Sequence, residues 1–395
     1  MNELEQIKFQ LSNKDPEILI NALFDAWEHE EAGIELIAQS LGDKNRKVRQ
    51  AALLLLRESN TEIAKETVCN YLPFSNIQCL HTIEYFEFNS FSIPSESHPD
   101  NFEIANYDNT LVSYWEIDYK NSGMAIWNLE TGSLEREKDL RAHEFGLGDD
   151  GKVFVTSYQH LCFVYELKTG KQIDDYPDQF IHGINALDGE FIVCKQNKSI
   201  IAKLSHCGYS GEIEIWNYRN YSCSLNVKFD NLLLCPRDIF GILITPFLFT
   251  IDGEFFIVCF FDKQKHSLIK IWDTETQELI QTIENLPKLI VTSVGVSLNK
   301  TIIACGIREE KVCVWELQTD KIIFTADEMC PSILSNNGRV LIYATANYEI
   351  VVRDLIKEKE LCRLTGHNAP IAYITLSEDY EFIASYSVDR QIKIW

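Results

Sequence analysis

The chain has 395 residues, 36 basic against 59 acidic for a formal net charge of −23, and 46 % of its residues are hydrophobic. That length allows one large domain plus a smaller module, the apolar fraction excludes global disorder, and the charge opposes a phosphate backbone as partner. No run of 18 apolar residues and no basic-then-apolar leader occurs, and the twelve cysteines include no Cys-x-x-Cys or other paired metal spacing. A cytoplasmic protein with reduced thiols, no metal and no cofactor is expected.

The first seventy-five residues read as helical. Asp15-Pro16-Glu17 is a start signal, with Asp as cap and Pro in the first turn, and Ile18, Leu19, Ala22, Leu23 and Ala26 follow at helical spacing. Gly33 and Gly42 punctuate what comes next, and "NTEIAKETVCNYL" (60–72) reads as another helix. "SLGDKNRKVRQAALLLLRES" (40–59) resembles the helix-turn-helix of a HEAT-like repeat, with Asp43, Val48 and Arg49 at the turn pattern. Because Leu53 to Leu56 is apolar around most of a helix, that helix is expected to pack on several sides, against the rest of the chain or a partner. Residues 1–75 are thus expected to form an α-helical, HEAT-like segment.

From residue 76 the periodicity changes to that of strands, and a repeat emerges. "MAIWN" (124–128), "IEIWN" (213–217), "IKIWD" (269–273), "VCVWE" (312–316) and "IKIW" (392–395) share one pattern, and "CFVYE" (162–166) and "IVVRD" (350–354) are weaker copies. The anchors Trp127, Tyr165, Trp216, Trp272, Trp315, Arg353 and Trp395 are 38, 51, 56, 43, 38 and 42 residues apart. After most of them comes a polar turn and an alternating strand, as in "DTETQELIQTI". Before them lies an apolar strand, taken as "FIVC" (191–194) in the third copy, "FIVC" (256–259) in the fourth and "FIAS" (382–385) in the last.

The segment "LTGHNAPIAYITLSEDYEFIASYSVDRQIKIW" (364–395) resembles a WD40 repeat almost position for position, including Gly366-His367. The resemblance covers roughly residues 76–395 and implies a seven-bladed WD40-type β-propeller, mainly β, following the small all-α segment. It also implies that an early strand completes the last blade. The candidate is "IQCLHTIEY" (77–85), which explains a chain ending on the strand of Trp395.

The resemblance further implies a hydrogen-bonded set of His367, Ser385, Asp389 and Trp395, in which Asp accepts from the imidazole, the other ring nitrogen meets the hydroxyl, and the hydroxyl meets the indole N–H. A His-Ser-Asp grouping also suggests a hydrolase triad. Here, however, the serine sits inside a strand without a strained elbow or oxyanion donors, so a structural role is favoured. Other copies depart from the pattern: Gln159 and Glu309 replace the aspartate, and Arg353 replaces the tryptophan.

Two stretches read as enlarged loops. One is "KQNKSIIAKLSHCGYSG" (195–211), with Lys195, Lys198, Lys203 and His206. The other is "DNLLLCPRDIFG" (230–241), with Leu232, Leu233, Arg237 and Phe240. A basic loop beside apolar side chains suits a partner contact, and no phosphate loop, H-E-x-x-H or G-x-S-x-G motif appears. The expected function is a non-catalytic scaffold or adaptor that binds protein partners through these loops and possibly its helices. Membrane and nucleic acid are disfavoured as partners, and a monomer is expected outside a complex. The alternative is a ligand-binding or catalytic propeller that uses its channel or the enlarged third-blade loop.

Overall fold

The computed structural model describes residues 3–74, 77–84, 101–105, 109–118, 121–140, 144–148, 151–158, 161–173, 189–193, 200–207, 210–217, 222–229, 233–234, 238–239, 242–243, 247–250, 254–261, 267–286, 289–297, 299, 301–308, 311–327 and 331–395. The chain divides into two compact units, Met1–Ser75 and Asn76–Trp395.

The first unit contains five helices, α1 (Glu3–Gln10), α2 (Pro16–Trp27), α3 (Glu30–Gln39), α4 (Arg46–Glu58) and α5 (Glu62–Asn70). Three begin on a side-chain cap that satisfies an orphan amide: Asp15 accepts from Glu17 N at 3.0 Å, Asn45 from Lys47 N at 2.9 Å and Thr61 from Ala64 N at 3.3 Å. Arg49 closes the turn before α4 by donating from Nη1 to the carbonyls of Asp43 and Lys44 at 2.8 and 3.0 Å. Leu19, Leu23, Ile34, Ile37, Leu53 and Leu56 share one core. At Gly33 a Cβ would fall 1.8 Å from the carbonyl oxygen of Ala26, so only glycine lets α3 lie this close to α2. Leu53, Leu55 and Leu56 of α4 are buried and Leu54 is 58 % exposed, so the helix is covered on several sides and keeps one apolar side chain in solvent.

The second unit is built of antiparallel sheets, most of them meanders of consecutive strands. In chain order they occupy residues 101–140 (four strands), 144–166 (three), 189–229 (four), 233–286 (five), 289–326 (four) and 332–364 (four). The last comprises residues 371–394 with His81–Glu84 added (four). Among the described residues six sheets therefore have four or five strands, the second copy forms a three-stranded sheet, and Asp238–Ile239 with Ile242–Leu243 forms a separate two-stranded one.

Neighbouring sheets pack through shared apolar clusters. Tyr114 and Phe154 join the first sheet to the second, Ile215 and Phe256 the third to the fourth, Ile271 and Trp315 the fourth to the fifth, and Val314 and Leu341 the fifth to the sixth. Phe102, Trp127, Tyr386 and Ile394 join the first to the last. Anchor tryptophans thus wedge between adjacent sheets, which is why a large apolar residue recurs at that place.

The polar turns after three of the anchors have a common chemistry. Asn128 Oδ1 accepts from Glu130 N and Thr131 N at 2.9 and 3.0 Å, Asp273 Oδ1 from Glu275 N and Thr276 N at 2.9 and 2.7 Å, and Asp354 Oδ1 from Ile356 N and Lys357 N at 3.0 and 3.1 Å. These are Asx-type turns, in which a short polar side chain replaces the missing backbone partners.

His81–Glu84 pairs antiparallel with Gln391–Ile394, His81 opposite Ile394 and Glu84 opposite Gln391, and Leu80 N donates to Ile394 O at 2.7 Å. Lys393 Nζ adds a bond to Thr82 Oγ1 at 2.8 Å. The paired segment is shorter than the span 77–85.

The third sheet departs from the sequence reading. Its strand before the anchor is Ile200–Cys207, paired with Ser210–Asn217 on one side and with Gly189–Val193 on the other. Phe191 to Val193 of "FIVC" therefore belong to the strand before that one. Lys203 and His206 lie within a strand of the sheet, not in an inserted loop. The physical reason is the alternation of Ile200, Ala202 and Leu204, a period-two signal that the flanking lysines obscure.

Candidate functional site

In the last sheet Ser385 follows Ile383 by two positions, and Ile383 exchanges backbone hydrogen bonds with Trp395 at 2.9 and 3.1 Å. Residues two apart in a strand share a face, so the hydroxyl and the indole meet. Trp395 Nε1 donates to Ser385 Oγ at 3.0 Å, and His367 Nε2 lies 2.7 Å from the same oxygen. The imidazole stands edge-on to the indole, with centroids 6.2 Å apart. Ser385 is 0 % exposed and His367 7 %. Burial and, after it, Lys393 together depress the His367 pKa to about 4, with Asp389 only partly opposing them.

The expected bond from the imidazole to Asp389 is not formed. Asp389 is exposed in the turn and its Oδ1 accepts from Gln391 N at 3.2 Å, while His367 Nδ1 has no hydrogen-bond partner. The carboxylate serves its own turn, a local alternative open to any Asp.

Register decides which other anchors find a hydroxyl. Trp127 pairs with Leu111, placing Ser113 on its face, and Trp127 Nε1 reaches Ser113 Oγ at 3.5 Å. Trp272 pairs with Phe256, so Val258 takes that place. Trp315 pairs with Ala304, so Gly306 takes it, and Trp315 Nε1 is buried without a hydrogen-bond partner. Cys305 faces the other way, towards Ser332 Oγ at 3.2 Å, and its burial pushes the thiol up to about 12. Hairpin length sets this: the fifth sheet turns through two residues between Arg308 and Lys311, the last through three between Ser387 and Gln391.

These contacts predict that Ser385→Ala costs about 1–3 kcal/mol, since it strands the indole N–H and the imidazole together. Asp389→Ala is expected to cost well under that, within about 0.5 kcal/mol, as for an exposed position. Urea unfolding of the two variants checks the ranking; equal losses would restore the four-residue set.

Of the candidate loop residues, Lys203 and His206 fall in the strand Ile200–Cys207, and Leu233 falls in a short strand, Leu233–Leu234, paired with Phe260 and Phe261. Lys195, Lys198, Leu232, Arg237 and Phe240 lie outside the described residues. Among the described residues no three His, Cys, Asp or Glu side chains are grouped to hold a metal ion, and no helix is long and apolar enough to cross a membrane.

A pair the sequence reading missed is Arg339 with Asp354. The guanidinium, 3 % exposed, donates from Nη2 to Oδ2 at 2.9 Å and from Nε to Oδ1 at 3.3 Å of a carboxylate that is 0 % exposed. Burial alone would raise the Asp354 pKa, but the bonds from Arg339 and from the Lys357 and Ile356 amides outweigh it and hold the carboxyl below its usual range. The fork ties the turn between the first two strands of the sixth sheet to the turn after its anchor. Its sequence signal was the Asp after the anchor, but nothing local pointed to an arginine fifteen residues earlier.

No family model matches the sequence, and no curated protein matches it. Among solved structures the chain is similar to the Cps50 (Swd1) β-propeller domain of Myceliophteria thermophila, at 13 % identity and a TM-score of 0.52, over 80 % of this chain and 98 % of that one. At that identity the likeness is one of fold. With the tryptophan repeat and the strand added beside Gln391–Ile394, it identifies the fold as a WD40-type β-propeller preceded by a short helical segment.

Proposed function

We propose that this protein is a non-catalytic interaction scaffold with seven blades. It binds protein partners through its loops and through the HEAT-like helices, acts in the cytoplasm, and is monomeric outside a complex. The observation that carries the reading is the confinement of the last blade's reactive-looking set: the Ser385 hydroxyl is fully buried and already engaged by Trp395 and His367. A nucleophile needs an approachable oxygen and donors for the developing charge, and this one holds two elements together instead. Support for seven blades comes from the second sheet, where the Tyr165–Gln172 bridge and the bond from Ile173 N to Val164 O at 2.9 Å mark the start of a fourth strand. Rigid internally paired sheets presenting variable loops suit recognition, and unrelated functions share this fold, so the partner must be found by experiment.

The test is affinity capture of the tagged full chain from its native cells, followed by mass spectrometry. A stoichiometric partner is expected, lost on combined substitution of Lys195, Lys198, Arg237 and Phe240, which leaves the paired strands of the third and fourth sheets untouched. Recovery of the chain alone under conditions where it is needed would sink the scaffold reading.

A further inference from the structure

Between the first sheet and the second lies a cleft of about 290 Å³ that involves neither of the loops named above. Thr110, at the start of a strand, and Arg136, in the outer strand Leu134–Leu140, line one side; Leu167 and Lys168 line the other. Two of its lining residues carry a buried polar atom with no hydrogen-bond partner: Oγ1 of Thr110, a residue 3 % exposed, and Nη1 of Arg136. Buried donors are almost always satisfied, so two orphans in one cleft are an exception that asks for a cause. Both atoms are closed off from solvent, and neither has a hydrogen bond to lose if its side chain turns towards a ligand.

The neighbouring groups are already occupied. Lys138 donates to Gly170 O at 2.6 Å and lies 4.0 Å from the Tyr165 ring centroid, and Glu135 Oε1 accepts from Asn128 Nδ2 at 2.8 Å. The charged residues lining the cleft are Arg136 and Lys168 against Glu135, two cations to one carboxylate, a net of one positive charge in a chain of net −23. Ile126 and Leu167, both buried, supply apolar wall. A guanidinium and a hydroxyl are donors suited to carboxylate oxygens, and a single net charge matches a monoanion better than a phosphate dianion.

We propose that this cleft binds a small monocarboxylate with a short aliphatic body, either free or as the side chain of a partner's glutamate. Recognition runs through Arg136 and Thr110, with the aliphatic part against Ile126 and Leu167. At about 290 Å³ the cleft lies at the small end of ligand sites and has room for a short-chain carboxylate.

Titration calorimetry on the full chain tests it with three probes at constant ionic strength: butyrate, a blocked glutamate tripeptide and inorganic phosphate. One saturable site for butyrate is expected, weakened at least about tenfold in Arg136→Gln, the loss of a charge-assisted bond. Tighter binding of the tripeptide than of butyrate assigns the carboxylate to a partner protein, and tighter binding of butyrate assigns it to a free metabolite. Thr110→Val guards against a folding artefact: it should weaken butyrate several-fold while raising the melting temperature of the ligand-free protein, because an unpaired buried hydroxyl is removed. Absence of saturable heat with butyrate and the tripeptide, binding unchanged in Arg136→Gln, or phosphate binding as tightly as butyrate would overturn the proposal.

Discussion

Replacing Arg339 by methionine is expected to destabilise the protein by about 3–5 kcal/mol, the cost of leaving a buried carboxylate without its cation. Asp354 is fully buried and would keep only the amides of Ile356 and Lys357. The pair need not add net stability over an apolar replacement, since desolvation of both charges offsets much of their attraction. The sharper expectation therefore concerns the double variant. Arg339→Met with Asp354→Asn removes both charges yet keeps an oxygen for the turn amides, and should cost less than Arg339→Met alone. Urea unfolding of the two singles and the double closes the cycle. Additive losses, each below about 1 kcal/mol, would show that the fork is not coupled as its geometry implies.

Acid is expected to weaken the last sheet in a window where carboxylates are still ionised. His367 has its pKa lowered from 6.5 to about 4 in the folded chain, so between those values the unfolded chain binds a proton that the folded chain refuses. Stability from this group is full above pH 6.5 and is lost as pH falls towards 4. Over the whole window the loss is roughly 3 kcal/mol, of which about 2 should be gone by pH 5. The groups that face the ring explain the sign: it is buried, Lys393 lies near, and Asp389, turned to its own amides, compensates little. Asp354, whose pKa is also depressed, contributes stability above the ordinary carboxylate value and loses it only below that, outside this window. His367→Gln, which can still reach the Ser385 hydroxyl, should flatten the dependence between pH 7.5 and 5. An unchanged slope in the variant would mean that the acid response lies elsewhere.

Much of the architecture was legible because its signals are local. Tryptophan-bearing strands with apolar alternation, a polar turn after the anchor, and the helix cap Asp15 each act within a few residues. Features that depend on counting across a hairpin were not. Cys305 and Ser385 both stand ten residues before their tryptophans, yet a turn one residue shorter puts Cys305 on the opposite face and leaves Gly306 beside Trp315. In the third sheet two consecutive strands are apolar, and periodicity alone cannot say which one neighbours the anchor. The Asp389 bond failed for another reason, because composition shows that an acceptor is present and not where it points. Arg339 gave no signal because a lone arginine in a turn is normally solvated.

The strand His81–Glu84 also bears on how the chain folds. Its link from Thr82 to Lys393 spans 311 positions, whereas each of the other described sheets is completed within one continuous stretch of chain. Joining ends that far apart costs about 3 kcal/mol more chain entropy than closing a ten-residue loop. Such non-local pairing is rewarded only after the intervening sheets have formed, so it belongs late in folding and early in unfolding. The propeller behaves as a row of quickly made hairpins waiting on one slow clasp.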